Sequence, residues 1–331
     1  MGLFDRLSRL PGASASHDRL AALEEQGRAI LQQVQDTNQQ LAELTRRESQ
    51  LRAVLTRDAE LEASQARLQD VIGKTTTATH VARVVRRAQL RDDPFPHAIV
   101  DDVLPDDLYG CLIKGLPPVE LFSDRPANKQ HLAVPFALAP TYSQRVWAFM
   151  AGVVVPEYIL PAVVEKFRPA VDAWIAANWP DVPPGDVAFH TSDGRLLLRT
   201  RGYRIPPHRD PKWGFITCIL YLARRDDDES WGTELYSVDD DQEARGASPH
   251  WIDPARCRVV GQVEYRPNRM LVLLNSVGAH GAHIPDDPQL EGLQRYIYQF
   301  RIAPTTESMA RLKSTLSEDR RPFWAGKSAD Y

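Results

Sequence analysis

From Leu20 onward, apolar residues return at alternating steps of three and four: Leu20, Leu23, Ile30, Val34, Leu41, Leu44, Leu51 and Leu55. Gly27, Thr37 and Glu48 fill the intervening positions of the same repeat. That spacing is a heptad seam, the narrow apolar stripe of a coiled coil, flanked here by Glu, Gln and Arg. Residues 17 to 72 contain no proline, so a long helix over 17–75 is expected. Past Leu55 the repeat slips, because Leu61 and Leu68 fall out of phase, and the supercoil should loosen there. A lone helix has nothing to cover such a stripe, which favours self-association over folding back on the rest of the chain.

Residues 76–92 read as a basic linker, with Arg83, Arg86, Arg87 and Arg91 on a solvated helical face beside Val81, Val84, Val85 and Leu90. No aromatic side chains are interleaved, so a nucleic-acid platform is not expected. From Asp93 the texture changes. Asp93 to Val100 reads as an extended entry, and a helix is expected from Pro105 to Ile113. Two more helices are expected over Tyr142–Ala151 and Pro156–Trp179, the second kinked or split by Pro161 and Pro169. Beyond them come short runs rich in β-branched, Leu and Tyr residues: 195–203, 215–222, 233–238, 257–265, 269–275 and 294–302. Strands at this spacing, preceded by helices, predict an α+β domain over 93–305 whose barrel-like sandwich is supported by helices on one side. Residues 1–16 and 306–331 are expected to be a flexible start and a tail.

Composition changes this picture little. The 331 residues carry a formal charge of -4, which gives no general attraction for nucleic acid or anionic membrane. Three widely spaced cysteines (Cys111, Cys218 and Cys257) argue against both a disulfide framework and a cysteine-rich zinc site. No apolar stretch is expected to cross a bilayer. The N-terminus matches neither a signal peptide nor the myristoylation pattern, whose Ser or Thr is replaced by Arg6, so a cytoplasmic location is expected.

The chemistry concentrates in Gly202-Tyr203-Arg204-Ile205-Pro206-Pro207-His208-Arg209-Asp210. In extended backbone His208 and Asp210 point to the same side, since side chains alternate along a strand. An imidazole and a carboxylate side by side suit a divalent transition metal. One distant histidine completes a facial triad of two histidines and one carboxylate, with three positions left open. His280, in His-Gly after the apolar run 269–275, is preferred as that histidine over His283. His97, His131, His190 and His250 lack paired ligands and read as structural or surface residues. Downstream, Arg295 and Arg301 face the same way if 294–302 is one regular strand.

This order of residues resembles the Fe(II)/2-oxoglutarate oxygenases, and within them the prolyl-hydroxylase-like group. The resemblance covers roughly residues 93–303, and its specific part runs from Gly202 to Arg301. It implies a double-stranded β-helix (jelly-roll) fold, with Fe(II) held by His208, Asp210 and His280. It also implies that Arg295 pairs with the far carboxylate of 2-oxoglutarate, and that Tyr221, in Thr217-Cys218-Ile219-Leu220-Tyr221-Leu222, contacts the same co-substrate. A guanidinium suits that role because it is bidentate and stays charged. O2 is the other co-substrate, ascorbate a stimulating reductant, and succinate and CO2 the by-products. A carboxylate at Asp210 implies hydroxylation over halogenation. Arg199 departs from the family, where many members carry a tyrosine or another polar residue before the metal motif.

The competing reading is a non-catalytic or differently metallated β-helix binding module assembled through the coiled coil. The substrate, a small molecule or a peptide, is not specified by fold or triad. The segments Asp124–Pro140 and Asp226–Pro254 are the expected mouth loops.

Overall fold

The heptad segment folds as one helix, α1 (Ala13–Leu61), in the computed structural model, which describes residues 13–122, 136–241 and 250–318. The chain divides into two compact units, Met1–Leu55 and Thr56–Tyr331. In the first, the seam side chains from Leu23 to Leu55 stand 50–65% exposed, Val34 being the least exposed of them. Glu43 on the flank pairs with Arg46 and Arg47, and Glu48 of the seam with Arg52 on the flank, at 2.7–2.8 Å. Such exposed pairs at three- and four-residue spacing favour the helical backbone. Thr37 returns its hydroxyl to the Gln33 carbonyl at 2.7 Å, so this polar seam residue needs no outside partner.

The second unit explains why the heptad repeat fails after Leu55. Leu61 at the end of α1, with Leu68 and Val71 of α2 (Gln65–Ile72), is buried in the main hydrophobic core. These leucines serve a different face from the seam. Residues expected as a basic linker form α3 (Thr76–Arg87), which buries Thr77, Val81 and Val85. The linker expectation is therefore corrected: Arg83, Arg86 and Arg87 are the solvated face of a helix whose valines belong to the core, and Arg91 lies in the short strand that follows. Helix α4 (Asp106–Lys114) follows as expected, with Asp106 and Asp107 in its first turn and Lys114 in its last, matching the helix dipole.

The next two helices are continuous. α5 (Thr141–Phe149) passes through a π-helical segment, Met150–Ile159, into α6 (Leu160–Asn178). Pro156 falls in the widened π segment, and α6 runs unbroken through Pro161 and Pro169, so the expected split does not occur. The stretch Thr141–Asn178 is 38 residues and is long and apolar enough to cross a membrane, contrary to the sequence expectation. Its Met150, Val154, Ile159, Val163, Phe167, Val171 and Ile175 are instead buried in the core against the sheet. It is a core helix.

All strands pair antiparallel in two sheets. One holds, in spatial order, β1 (Leu90–Arg91), β2 (His97–Val100), β9 (Met270–Leu274), β5 (Ile216–Tyr221), β11 (Arg295–Pro304) and β3 (Phe189–Arg199). The other holds β7 (His250–Trp251), β4 (Arg204–Arg209), β10 (His280–His283), β6 (Thr233–Val238) and β8 (Cys257–Val263). From β3 to β6 and again from β8 to β11 the chain switches sheet at every strand. That winding is a double-stranded β-helix. A last helix, α7 (Thr306–Thr315), buries Leu312, so the expected tail begins as structure.

Strands of the larger sheet are covered on both faces, which is why β5 and β9 are buried along their whole length. Their alternate residues sort into two cores. Cys218, Leu220, Met270, Val272, Tyr296, Tyr298 and Phe300 pack with the helices. Ile219, Tyr221, Leu271, Leu273 and Ile297 turn inward to meet Leu235, Val263 and Tyr265 of the smaller sheet and the segment after β8. The inward face of β11 also carries Arg295 and Arg301, both buried.

Candidate metal centre

β4 and β10 lie side by side, with His208 directly opposite His280 in the register. Asp210 follows β4 by one residue and returns its carboxylate to the same side. The three ligand atoms lie within 4.8 Å of one another, and all three residues are buried. His208 Nε2 is 3.9 Å from Asp210 Oδ1, and His280 Nε2 is 4.0 Å from Asp210 Oδ2. A first-row ion about 2.1 Å from each donor would need inward movements of under ~1 Å. His283 is exposed, on the other side of the strand.

The imidazoles are set in one tautomer by the backbone. Nδ1 of His208 donates to the Pro206 carbonyl and Nδ1 of His280 to the Gly278 carbonyl, each at 3.0 Å. The proton on Nδ1 leaves the Nε2 lone pairs aimed at the gap between the rings, the form a metal requires. Burial, aided by the neighbouring His280, lowers the pKa of His208 to about 4, so the ring is neutral at physiological pH. Burial alone would raise the Asp210 pKa. The Arg301 guanidinium, both imidazoles and the Thr217 hydroxyl outweigh it and hold the carboxyl well below its ordinary range. Thr217 Oγ1 donates to Asp210 Oδ2 at 2.5 Å, and Arg301 Nη2 lies 3.4 Å from Oδ1.

A metal ion fits this donor set: two imidazole Nε2 atoms, one ionised carboxylate, and hydrogen bonds behind each. β10 reaches the site because of Gly281. A Cβ there would stand 2.8 Å from the Ile205 carbonyl oxygen of β4 and 3.2 Å from the Tyr236 ring of β6.

No family model and no curated protein matches the chain. Solved structures do. A prolyl hydroxylase from Trichoplax adhaerens, in complex with a hypoxia inducible factor peptide fragment, is similar at 9% identity over 74% of this chain and 96% of its own, with a TM-score of 0.40. A Pseudomonas putida prolyl-4-hydroxylase is similar at 14% identity over 67% and 98%, with a TM-score of 0.37. HygX from Streptomyces hygroscopicus, with nickel, 2-oxoglutarate and hygromycin B bound, is similar at 12% identity over 63% and 83%, with a TM-score of 0.39.

Away from the triad, on the same inward face of β11, Arg295 is 2% exposed. Its guanidinium donates to the carbonyls of Trp231 and Gly232 and lies 5.1 Å from the Tyr265 ring centre and 5.6 Å from that of Tyr221. Among the described residues no carboxylate pairs with it. A buried cation without an anion is costly, and a dicarboxylate whose far end reached this point would relieve that cost. Tyr221 is buried beside it, with its hydroxyl donating to Thr233 Oγ1 at 2.7 Å, so it fills core and lines this corner at once. Arg199 stands opposite Arg295 across the β3–β11 pair, its guanidinium 4.8 Å from the Tyr203 ring centre. Burial lowers its pKa, and the nearby Arg295 adds to that effect.

Three neighbours of the site escaped the sequence reading. Thr217 was available from the two-residue period it shares with Ile219 and Tyr221. Arg301, which shares its strand face with Arg295, pairs with Asp210. Trp251, half exposed with its ring centre 5.2 Å from that of His208, had no local signal. His97 is buried, with Nδ1 on the Phe95 carbonyl, which matches its structural reading. Of the expected mouth loops, 123–135 and 242–249 lie outside the described residues, as does His131.

Proposed function

We propose that the chain is an Fe(II)- and 2-oxoglutarate-dependent dioxygenase that hydroxylates a small molecule or peptide. One observation carries the reading: His208, Asp210 and His280 converge inside a double-stranded β-helix whose interior also holds Arg295, with no carboxylate paired to it among the described residues. The first three would hold Fe(II), and Arg295, with Tyr221 beside it, would take the far carboxylate of 2-oxoglutarate. When bound, the metal, 2-oxoglutarate and O2 supply an oxidative decarboxylation that yields succinate and CO2 and places one oxygen atom on the substrate. The protein's own work is to bind and orient. The backbone carbonyls at Pro206 and Gly278 hold both imidazoles with Nε2 turned to the gap between them, Thr217 and Arg301 keep Asp210 ionised, and Arg295 would fix the co-substrate's direction.

Purified protein given Fe(II), ascorbate and 2-oxoglutarate is expected to form succinate without added substrate. His208→Ala should abolish this. Arg295→Leu should lose 2-oxoglutarate binding while keeping Mn(II) binding. Absence of 2-oxoglutarate binding to the wild-type protein, measured calorimetrically with Mn(II) present, would remove the reading. The exposed seam of α1 supports a second element of the proposal, self-association of the chain through a coiled coil.

A further inference from the structure

The exposed seam also contains the information that decides how two copies meet. From the geometry of the seam we infer that α1 pairs with α1 of a second copy in antiparallel orientation, a step that rests on the self-association proposed above. In the heptad, Leu20, Gly27, Val34, Leu41, Glu48 and Leu55 occupy one core position, and Leu23, Ile30, Thr37, Leu44 and Leu51 the other.

A parallel, in-register pair places each core residue against itself. Gly27 then meets Gly27 and leaves a void, since a Cβ built there touches nothing within 4 Å in the single helix. Glu48 meets Glu48, two like charges in the apolar seam. On the flank Arg47 meets the partner's Arg52, again like against like.

An antiparallel pair centred between Gln35 and Asp36 removes all three. Leu44 covers the partner's Gly27, large against small. The Glu48 stem lies along the partner's Leu23, which leaves its carboxylate with Arg52 of its own helix, 2.8 Å away in the single chain. Ile30 meets the partner's Leu41, and Val34 the methyl of the partner's Thr37. Glu24 comes within reach of the partner's Arg52, so the flanks become complementary. The occupant of the seam is thus a second copy of this chain, and the α1 helices of the two chains run in opposite directions from the shared centre.

Spin labels on the full-length protein test this. Cys257→Ser removes the cysteine that is not buried, leaving Cys111 and Cys218 in the core. Ala21→Cys and Asp36→Cys, each on an outward position of the helix, then carry one label per chain. At 1.5 Å of rise per residue, antiparallel pairing puts labels at position 21 roughly 45 Å apart and labels at position 36 within about 25 Å. That pair of distances is the expected result. Short distances at both positions mean parallel pairing and overturn the inference while leaving self-association intact. Long distances at both show contact elsewhere and overturn it too. A monomeric mass by light scattering overturns the self-association itself.

Discussion

Asp210 is the residue on which the site's electrostatics turn, because it is buried, ionised and shared between two imidazoles and a guanidinium. Thr217 holds one of its oxygens in place through a 2.5 Å hydrogen bond from the adjacent sheet. Thr217→Val keeps the side-chain volume and removes only that donor. It is expected to weaken divalent-metal binding by about 10–100-fold, the usual effect of losing a hydrogen bond behind a ligand. The fold should be retained, read from Mn(II) titration alongside a thermal melt. At this scale the three residues that converge are legible and their support is not. His208, Asp210 and His280 announce themselves through residue type and spacing, whereas a threonine in a buried strand looks like any other. Its role appears only when β5 packs inward against the segment after β4.

At the scale of elements, five of the six strands read from the sequence are legible nearly to their ends, whereas the run 195–203 belongs to a strand that begins at Phe189 and ends at Arg199. β4 and β10 are not legible, although they carry both histidines. Arg-Ile-Pro-Pro-His-Arg and His-Gly-Ala-His have no strand propensity to speak of, and two prolines remove donors from β4. These segments are extended because their neighbours complete them: β10 lies between β4 and β6, and the Pro207 carbonyl accepts from Ile252 at 2.9 Å. Gly281 is what lets the three backbones approach. Gly281→Ala sets a methyl 2.8 Å from a backbone oxygen that cannot swing aside. The expected cost is about 1–3 kcal/mol of stability, as for other overpacked positions, visible as a lowered thermal midpoint. Metal affinity should fall with it, since His280 precedes the displaced residue. An unchanged midpoint would mean that β10 is not held where the register puts it.

For the whole molecule, the boundary between arm and domain lies earlier than the end of the helical sequence. α1 continues to Leu61, but its seam ends at Leu55, and the leucines that break the heptad phase are those the domain needs. The sequence showed that break without showing its cause, because only the fold reveals what Leu61 and Leu68 touch. Two truncations separate the functions. A chain starting at Thr56 keeps Leu61, Leu68 and Val71, each 3% exposed or less. It should melt as the full-length domain does while losing the self-association proposed for the arm. A chain starting at Thr76 removes all three. Burying a side chain of this kind contributes about 1.5–3 kcal/mol, so their combined loss is a large share of the roughly 5–15 kcal/mol that holds a domain folded. That shorter chain should melt many degrees lower or fail to fold, by circular dichroism, although it retains every residue of the candidate metal centre. Equal melting of the two truncations would place the boundary at residue 75 and remove Leu61, Leu68 and Val71 from the domain's stability.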